Sequence, residues 1–223
     1  MLYKYLPPER VDIIESCRIR FTQLLSLNDP FEHCLLIGRH EYTLSEKESS
    51  DITKFVSLSR NNSNLLMWSH YADSHKGFCI GFTKNDNYFK KALSVRYRRF
   101  RSSFNGVDIN ITKSVNITKQ IALEKAIDWA YEEEERLFID DVKLDALKCG
   151  TDMWGRDILL NSFPRQSISA IYLGLRASPE LEIAITQAVM KHELDIQIFK
   201  ARRSTSEFGI SFEDVSGRYL NGK

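Results

Sequence analysis

The chain has no excess of charge of one sign: 31 Lys and Arg stand against 30 Asp and Glu in 223 residues. A general electrostatic grip on nucleic acid or membrane is therefore not expected, which leaves room only for a local basic patch. No stretch is apolar for long enough to span a bilayer. The opening MLYKYLPPER lacks the basic-then-apolar layout of a secretory signal, so the expected location is the cytoplasm and no membrane partner is expected. Cysteine is sparse and scattered, at Cys17, Cys34, Cys79 and Cys149, with no CxxC pair. Each is expected to serve as a small apolar residue in a reducing compartment, and no zinc or other metal is expected. Walker A, GxSxG, HExxH and kinase motifs are all missing, and no internal repeat is visible. The GFCIG run at residues 77–81 is too short and wrongly placed for a dinucleotide fingerprint.

What is present reads as one globular domain over residues 1–223, of the α+β class. Its centre is a mixed or antiparallel sheet, split in the manner of some cleft-bearing folds and flanked by helices. Strands are expected at residues 2–6, 18–22, 54–59, 78–82, 94–101, 132–139, 170–174, 196–200 and 208–212 from alternation and β-branched or aromatic content. Asn28-Asp29-Pro30 is a turn, since Asx side chains bond the local backbone and Pro presets φ. A helix over 65–74 takes Ser63 or Asn64 as its cap and Gly77 as its left-handed stop. Ser178 caps a second helix with Pro179 at its first position and Glu180 in its first turn. Short helices are expected over 85–93 and 119–130, an exposed polar segment over 39–52, and a mobile loop over 102–118. Residues 144–163 carry no clear pattern.

The densest chemistry lies in residues 62–82, NSNLLMWSHYADSHKGFCIGF. Trp68, His70, Tyr71 and His75 are rings with polar tips, and such tips need partners if buried. Trp68, Tyr71 and His75 share a helical stripe, which suits either a core stripe or a platform for a planar ligand with His70 or His75 as donor. Ser57 and Ser59 share a face of the preceding strand and could donate to the same ligand or bridge the sheet. The second focus is EEEERLFI. In a strand, Glu132, Glu134 and Arg136 would share a face. The Arg can keep one carboxylate ionised while a like-charge neighbour raises the other's pKa. The alternative is a solvated lip with Arg136 in a surface ion pair of little worth. Arg96, Arg98, Arg99 and Arg101 form a basic stripe suited to phosphate contact or to protecting an edge strand.

Several of these motifs recur together: LYKY at the start, NDPFE at 28–32, SLS at 57–59, LMWSHYA at 66–72, HKGFCIGF at 75–82, WAYEEEER at 129–136 and IYLG at 171–174. The set resembles a bacterial family whose function is unknown. More distantly, the order of a first LYKY strand, a Ser-bearing strand, an aromatic helix and a late Glu strand resembles the ADP-ribosyltransferase fold. That resemblance implies NAD as a substrate held in a cleft of a split sheet. It places Lys4, with Tyr3, at the position that grips ribose or phosphate, and Ser57 or Ser59 with Tyr71 beside the nicotinamide. Glu132 or Glu134 would favour an oxocarbenium-like transition state. His or Arg usually stands where Lys4 does, and His70 is the candidate to take over the gripping role.

These readings give a leading expectation: an enzyme of ADP-ribosyltransferase type, acting in phage defence or as a toxin. Its catalytic residues would be Glu132, Glu134 and His70. Tyr3, Lys4, Ser57, Ser59, Trp68, Tyr71, His75 and Arg136 would line the ligand cleft. The alternative is a non-catalytic module that binds a nucleotide, a dinucleotide or a partner, with Glu132 and Arg136 as a structural ion pair. A third reading, a metal-dependent nuclease using the carboxylates, is favoured by the acid clustering alone. Nucleic acid remains open as a partner, and the sequence does not identify a macromolecular acceptor.

Overall fold

A computed structural model describes residues 1–51, 54–84, 87–103 and 119–220. The chain gathers into two compact units: Met1–Ile19, Leu58–Lys91 and Ser162–Lys223 form the first, and Arg20–Ser57 with Ala92–Asn161 the second. The class is α+β with mixed strand pairing, as expected. No helix among the described residues is long and apolar enough to cross a membrane. The expected loop over 102–118 falls, from residue 104 onward, outside the described residues.

In the first unit Leu2–Leu6 pairs antiparallel with Phe78–Phe82, which pairs antiparallel with Ile168–Leu173. Ile168–Leu173 then runs parallel to Gln197–Arg203, and Ile210–Asp214 closes that side antiparallel. A parallel step needs a crossover, and the helix Pro179–Lys191 supplies it. Its start follows the expected pattern: the Ser178 side chain accepts from the Leu181 N–H at 3.3 Å, with Pro at the first turn. Leu181, Ile185, Ala188 and Val189 form its buried face. Phe78–Phe82 is buried at every residue, as suits a strand with a neighbour on each side.

The helix with Trp68 spans Leu65–Tyr71 and stops earlier than its sequence pattern predicts. Asn64 is the cap, accepting from Leu66 and Met67 N–H at 2.9 and 3.2 Å. Gly77 is not the left-handed residue. That conformation falls instead on Asp73, Ser74 and His75, with φ of 43°, 53° and 70°. Three such non-glycine residues in a row are costly and persist only where the surroundings fix them. Here the Ser74, His75 and Gly77 N–H groups donate to Ser69, Trp68 and Ala72 carbonyls at 3.1, 3.1 and 2.9 Å. Gly77 serves close approach: a Cβ there would lie 2.0 Å from the Leu6 carbonyl oxygen.

The second unit departs further from expectation. The described part of the segment 39–52 is largely exposed, as expected, but it is regular structure: it completes a hairpin, Cys34–Ile37 with His40–Thr43, and then forms the helix Glu46–Asp51. Ser49 on that helix is fully buried and accepts from the Leu25 N–H at 3.2 Å. Residues 85 and 86 of the expected helix over 85–93 lie outside the described residues, and the rest holds a 3-10 turn at Phe89–Lys91; the expected strand over 94–101 divides into Leu93–Ser94 and Arg96–Arg98. The expected helix over 119–130 is confined to residues 119–121, and a strand, Glu124–Ala126, and a 3-10 helix, Ile127–Glu132, follow. Parallel pairing of Glu124–Ala126 with Arg96–Arg98 draws those residues out of the helix that their local propensity favours. The acidic strand begins at Glu134, because Glu133 takes a left-handed φ of 46° where the 3-10 helix ends. The patternless stretch 144–163 is a hairpin of Ala146–Thr151 with Asp157–Ser162. Leu24, Leu35, Leu44, Phe55, Ile121, Ala122 and Phe138 form this unit's core.

Gly77→Ala sets a Cβ against backbone that cannot step aside. We expect it to cost about 1–3 kcal/mol or more of stability by denaturant titration. Gly209→Ala, where the nearest atom is a flexible Glu207 side chain at 3.6 Å, should be near neutral.

Candidate functional site

The rings of the 62–82 segment lie in the first unit. Trp68 is fully buried, and its Nε1–H donates to the Asn62 carbonyl at 2.7 Å. Tyr5 meets it edge-on at 5.2 Å and donates its hydroxyl to the Asn61 carbonyl at 2.7 Å. His75 lies parallel to Trp68 at 6.5 Å. Its pKa is lowered by burial and by Arg176, which favours the neutral ring. His70 is exposed and Tyr71 half-buried, their rings 6.3 Å apart. Tyr3 packs edge-on to Tyr172 at 5.8 Å, and Lys4 alternates to the other face of the strand. Ser59 Oγ accepts from the Asn61 N–H at 3.0 Å. In this group the tips of Trp68 and Tyr5 are satisfied by backbone.

Glu132, Glu134, Arg136 and Ser57 belong to the second unit, so the structure sorts the expected site residues into two sets. Arg136 is fully buried. Its guanidinium forks onto Glu134, with Nε to Oε1 at 2.7 Å and Nη2 to Oε2 at 3.0 Å. Nη1 donates to the Ala122 carbonyl at 2.7 Å, Nη2 also donates to Glu32, and the Phe55 ring lies 4.4 Å below the guanidinium carbon. Lys125 Nζ lies 2.6 Å from Glu132, 3.3 Å from Glu134 and 3.3 Å from Glu32, with the Trp129 ring 4.8 Å away. Three carboxylates thus enclose two cations, all five side chains nearly closed to solvent.

Burial pushes the Glu134 carboxyl up, but Arg136 and Lys125 outweigh it and hold the group down at about 2. Ser57 adds a hydrogen bond to the same carboxylate. Burial pulls Lys125 and Arg136 down, and the surrounding glutamates raise both on balance. Arg136 is therefore a buried, forked donor to carboxylates and not part of a surface ion pair. Glu32 and Lys125, essential to this arrangement, escaped the sequence reading. A hint lay in NDPFE. The Asp29 side chain accepts from the Phe31 N–H at 2.9 Å, and the Glu32 N–H donates to the Asp29 carbonyl at 3.2 Å. That turn buries Glu32 and leaves Phe31 exposed.

Glu32 and Lys125 also line a cavity of about 450 Å³ in the second unit. Its wall carries Arg96, Arg98, Arg99 and Arg101, with the rings of Phe31 and Phe100. Alternation sends Tyr97 and Lys125 inward, while Arg96 and Arg98 stay exposed. The Tyr97 hydroxyl accepts from the Glu134 N–H at 2.7 Å, and burial pushes its pKa up to about 12. Glu124 holds Arg98 at 3.2 Å and Glu41 holds Arg101 at 2.6 Å. Among the described residues, no group of three or more His, Cys, Asp or Glu side chains is arranged to hold a metal ion.

Fold and site together define an α+β protein with a buried ionic network beside an arginine-lined cavity. Residues 67–137 match the model of a family described as Protein of unknown function (DUF2971). The matched stretch runs from the Trp68 helix to the strand of Glu134 and Arg136, and includes Lys125 but not Glu32. No curated protein and no solved structure matches the chain.

Glu134→Gln takes away the ionised acceptor of the buried Arg136 fork and sets an amide donor beside a guanidinium donor. Glu134→Gln should cost about 3–5 kcal/mol in equilibrium unfolding. The folded-state pKa of Glu134 lies below the ordinary 4.5, so its contribution is complete above about pH 4.5 and is lost as pH falls through about 2. Denaturant midpoints measured across that window should fall for the native sequence, and this part of the fall should be missing in the variant.

Proposed function

We propose that the second unit is a nucleotide-binding module and that its ligand occupies the arginine-lined cavity. The observation carrying this reading is the pairing of four guanidinium groups with two solvent-facing phenyl rings around one cavity of about 450 Å³. Guanidinium forks match phosphate oxygens, and an exposed ring offers a face to a base. The volume lies in the range of small-molecule sites. The buried network serves this module as a scaffold: Glu32 and Lys125 belong to it and form part of the cavity wall. Carboxylates already committed to Arg136 and Lys125 suit a structural part better than a catalytic one.

The enzymatic reading, an ADP-ribosyltransferase-like activity on NAD with a part in phage defence, draws support from one feature. Glu134 is held ionised, and an anionic carboxylate is what an oxocarbenium-like transition state requires. Its Oε atoms already accept from Arg136 and Lys125 in this arrangement, so it stands second.

Calorimetry with AMP and with NAD tests both readings. Nucleotide binding without turnover, with Tm raised by about 5–10 °C at a hundredfold excess over Kd, is expected of the module. Arg96→Ala and Arg99→Ala should each weaken binding about tenfold. NAD consumption that disappears in Glu134→Gln, with the fold intact by circular dichroism, would reverse the order of the two readings. Absence of any nucleotide binding would remove both.

A further inference from the structure

We infer that the ligand is an unpaired stretch of single-stranded nucleic acid, not a free nucleotide; this rests on the nucleotide-binding reading and goes beyond it. The residues from 96 to 101 read Arg-Tyr-Arg-Arg-Phe-Arg. Tyr97 is turned inward, and its hydroxyl is taken by the Glu134 N–H. The other five residues all line the cavity. Phe100 is 81% exposed, and Phe31, on a separate segment of the same lining, is 59% exposed, with the Arg101 guanidinium 5.8 Å over one face of its ring and the other face left for stacking. One base can stack on one ring. Two exposed rings on one cavity wall ask for two bases, and the cavity's volume holds only about one nucleotide, so the second base belongs at the rim.

The cations support the same division. Arg98 is steered by Glu124, and Arg101 by Glu41 and the Cys34 carbonyl; a guanidinium so held still has donors to spare. Arg96 has a long contact of 3.4 Å to the Gln120 carbonyl, and its charge is not neutralised by it. Arg99 has no ion pair among the described residues and is exposed. Two guanidinium groups are thus open to phosphates, on the same segment as one of the stacking rings. Duplex nucleic acid keeps its bases stacked on each other and cannot offer a face to Phe31 or Phe100, whereas a single strand can. The near-neutral chain adds little long-range attraction. Affinity should therefore come from stacking plus about two phosphate contacts. That gives a shallow salt dependence, with log K falling against log salt at a slope of about −1.4.

Fluorescence anisotropy with labelled ten-nucleotide oligo(U) and oligo(dT), beside a ten-base-pair duplex and with UMP measured by calorimetry, tests this. The single strands should bind at least tenfold tighter than UMP and than the duplex. Phe100→Ala, at an exposed position that leaves the fold unchanged, should weaken the single strand about tenfold, and Arg99→Ala should make the salt slope shallower by about 0.7. The RNA and DNA oligomers together show which sugar the site prefers. UMP bound as tightly as the oligomers, or Phe100→Ala without effect, overturns the inference and leaves the nucleotide module standing. No binding of UMP or of any oligomer removes both.

Discussion

A guanidinium with no access to water organises the second unit. Taking Arg136 out of solvent costs several kcal/mol and is tolerated only where its donors find acceptors of good geometry. Glu134 accepts in a fork, Glu32 and the Ala122 carbonyl take the remaining directions, and the Phe55 ring covers one face. Glu32 and Glu134 bring a second cation, Lys125, which in turn holds Glu132. Each partner comes from a different stretch of chain: the NDPFE turn, the short strand Glu124–Ala126, the 3-10 helix Ile127–Glu132 and the strand Glu134–Phe138 itself. An ion network of this kind adds less to stability than its Coulomb terms suggest. What it does supply is a fixed relation among those four segments.

The cavity inherits that relation. Its wall includes Glu32 and Lys125 from the network, and the Arg96–Arg98 strand is tied to it twice. Arg96–Arg98 pairs with the strand that carries Lys125, and the Tyr97 hydroxyl takes the Glu134 N–H. Preorganised side chains lose less freedom when a ligand arrives, and the buried network fixes the backbone on which the cavity's arginines stand. In the proposed nucleotide-binding reading, the surface members Phe31, Phe100, Arg96 and Arg99 would carry recognition, and the buried members would hold the backbone that presents them.

The first unit uses its polar-tipped rings differently. Trp68 and Tyr5 give their donors to backbone carbonyls at Asn62 and Asn61 and pack edge to face. With both donors met, Trp68 and Tyr5 suit a stable core element, whereas the buried Nδ1 of His75 has no hydrogen-bond partner among the described residues. The strained run Asp73–His75 sits directly after their helix, held by N–H bonds to Trp68 and Ser69 carbonyls.

Much of the local structure was open to reading from the amino-acid sequence alone. The α+β class, the Leu2–Leu6 and Phe78–Phe82 strands, the Asn64 and Ser178 caps and the Asx turn at Asp29 follow from side-chain chemistry acting over three or four residues. So does the presence of a Glu-x-Arg pair on one strand face and of a basic stripe at residues 96–101. Tertiary structure alone decided what those features mean. Lys125 lies in a segment of helical propensity and becomes a strand through pairing with residues far away in sequence. Glu32 reaches Arg136 across 104 positions of chain. Gly77 is required by the Leu6 carbonyl, and the left-handed turn falls on its neighbours. Periodicity and capping are short-range effects that any stretch of sequence displays, whereas a buried charge is defined by its surroundings, and those exist only once distant segments have packed.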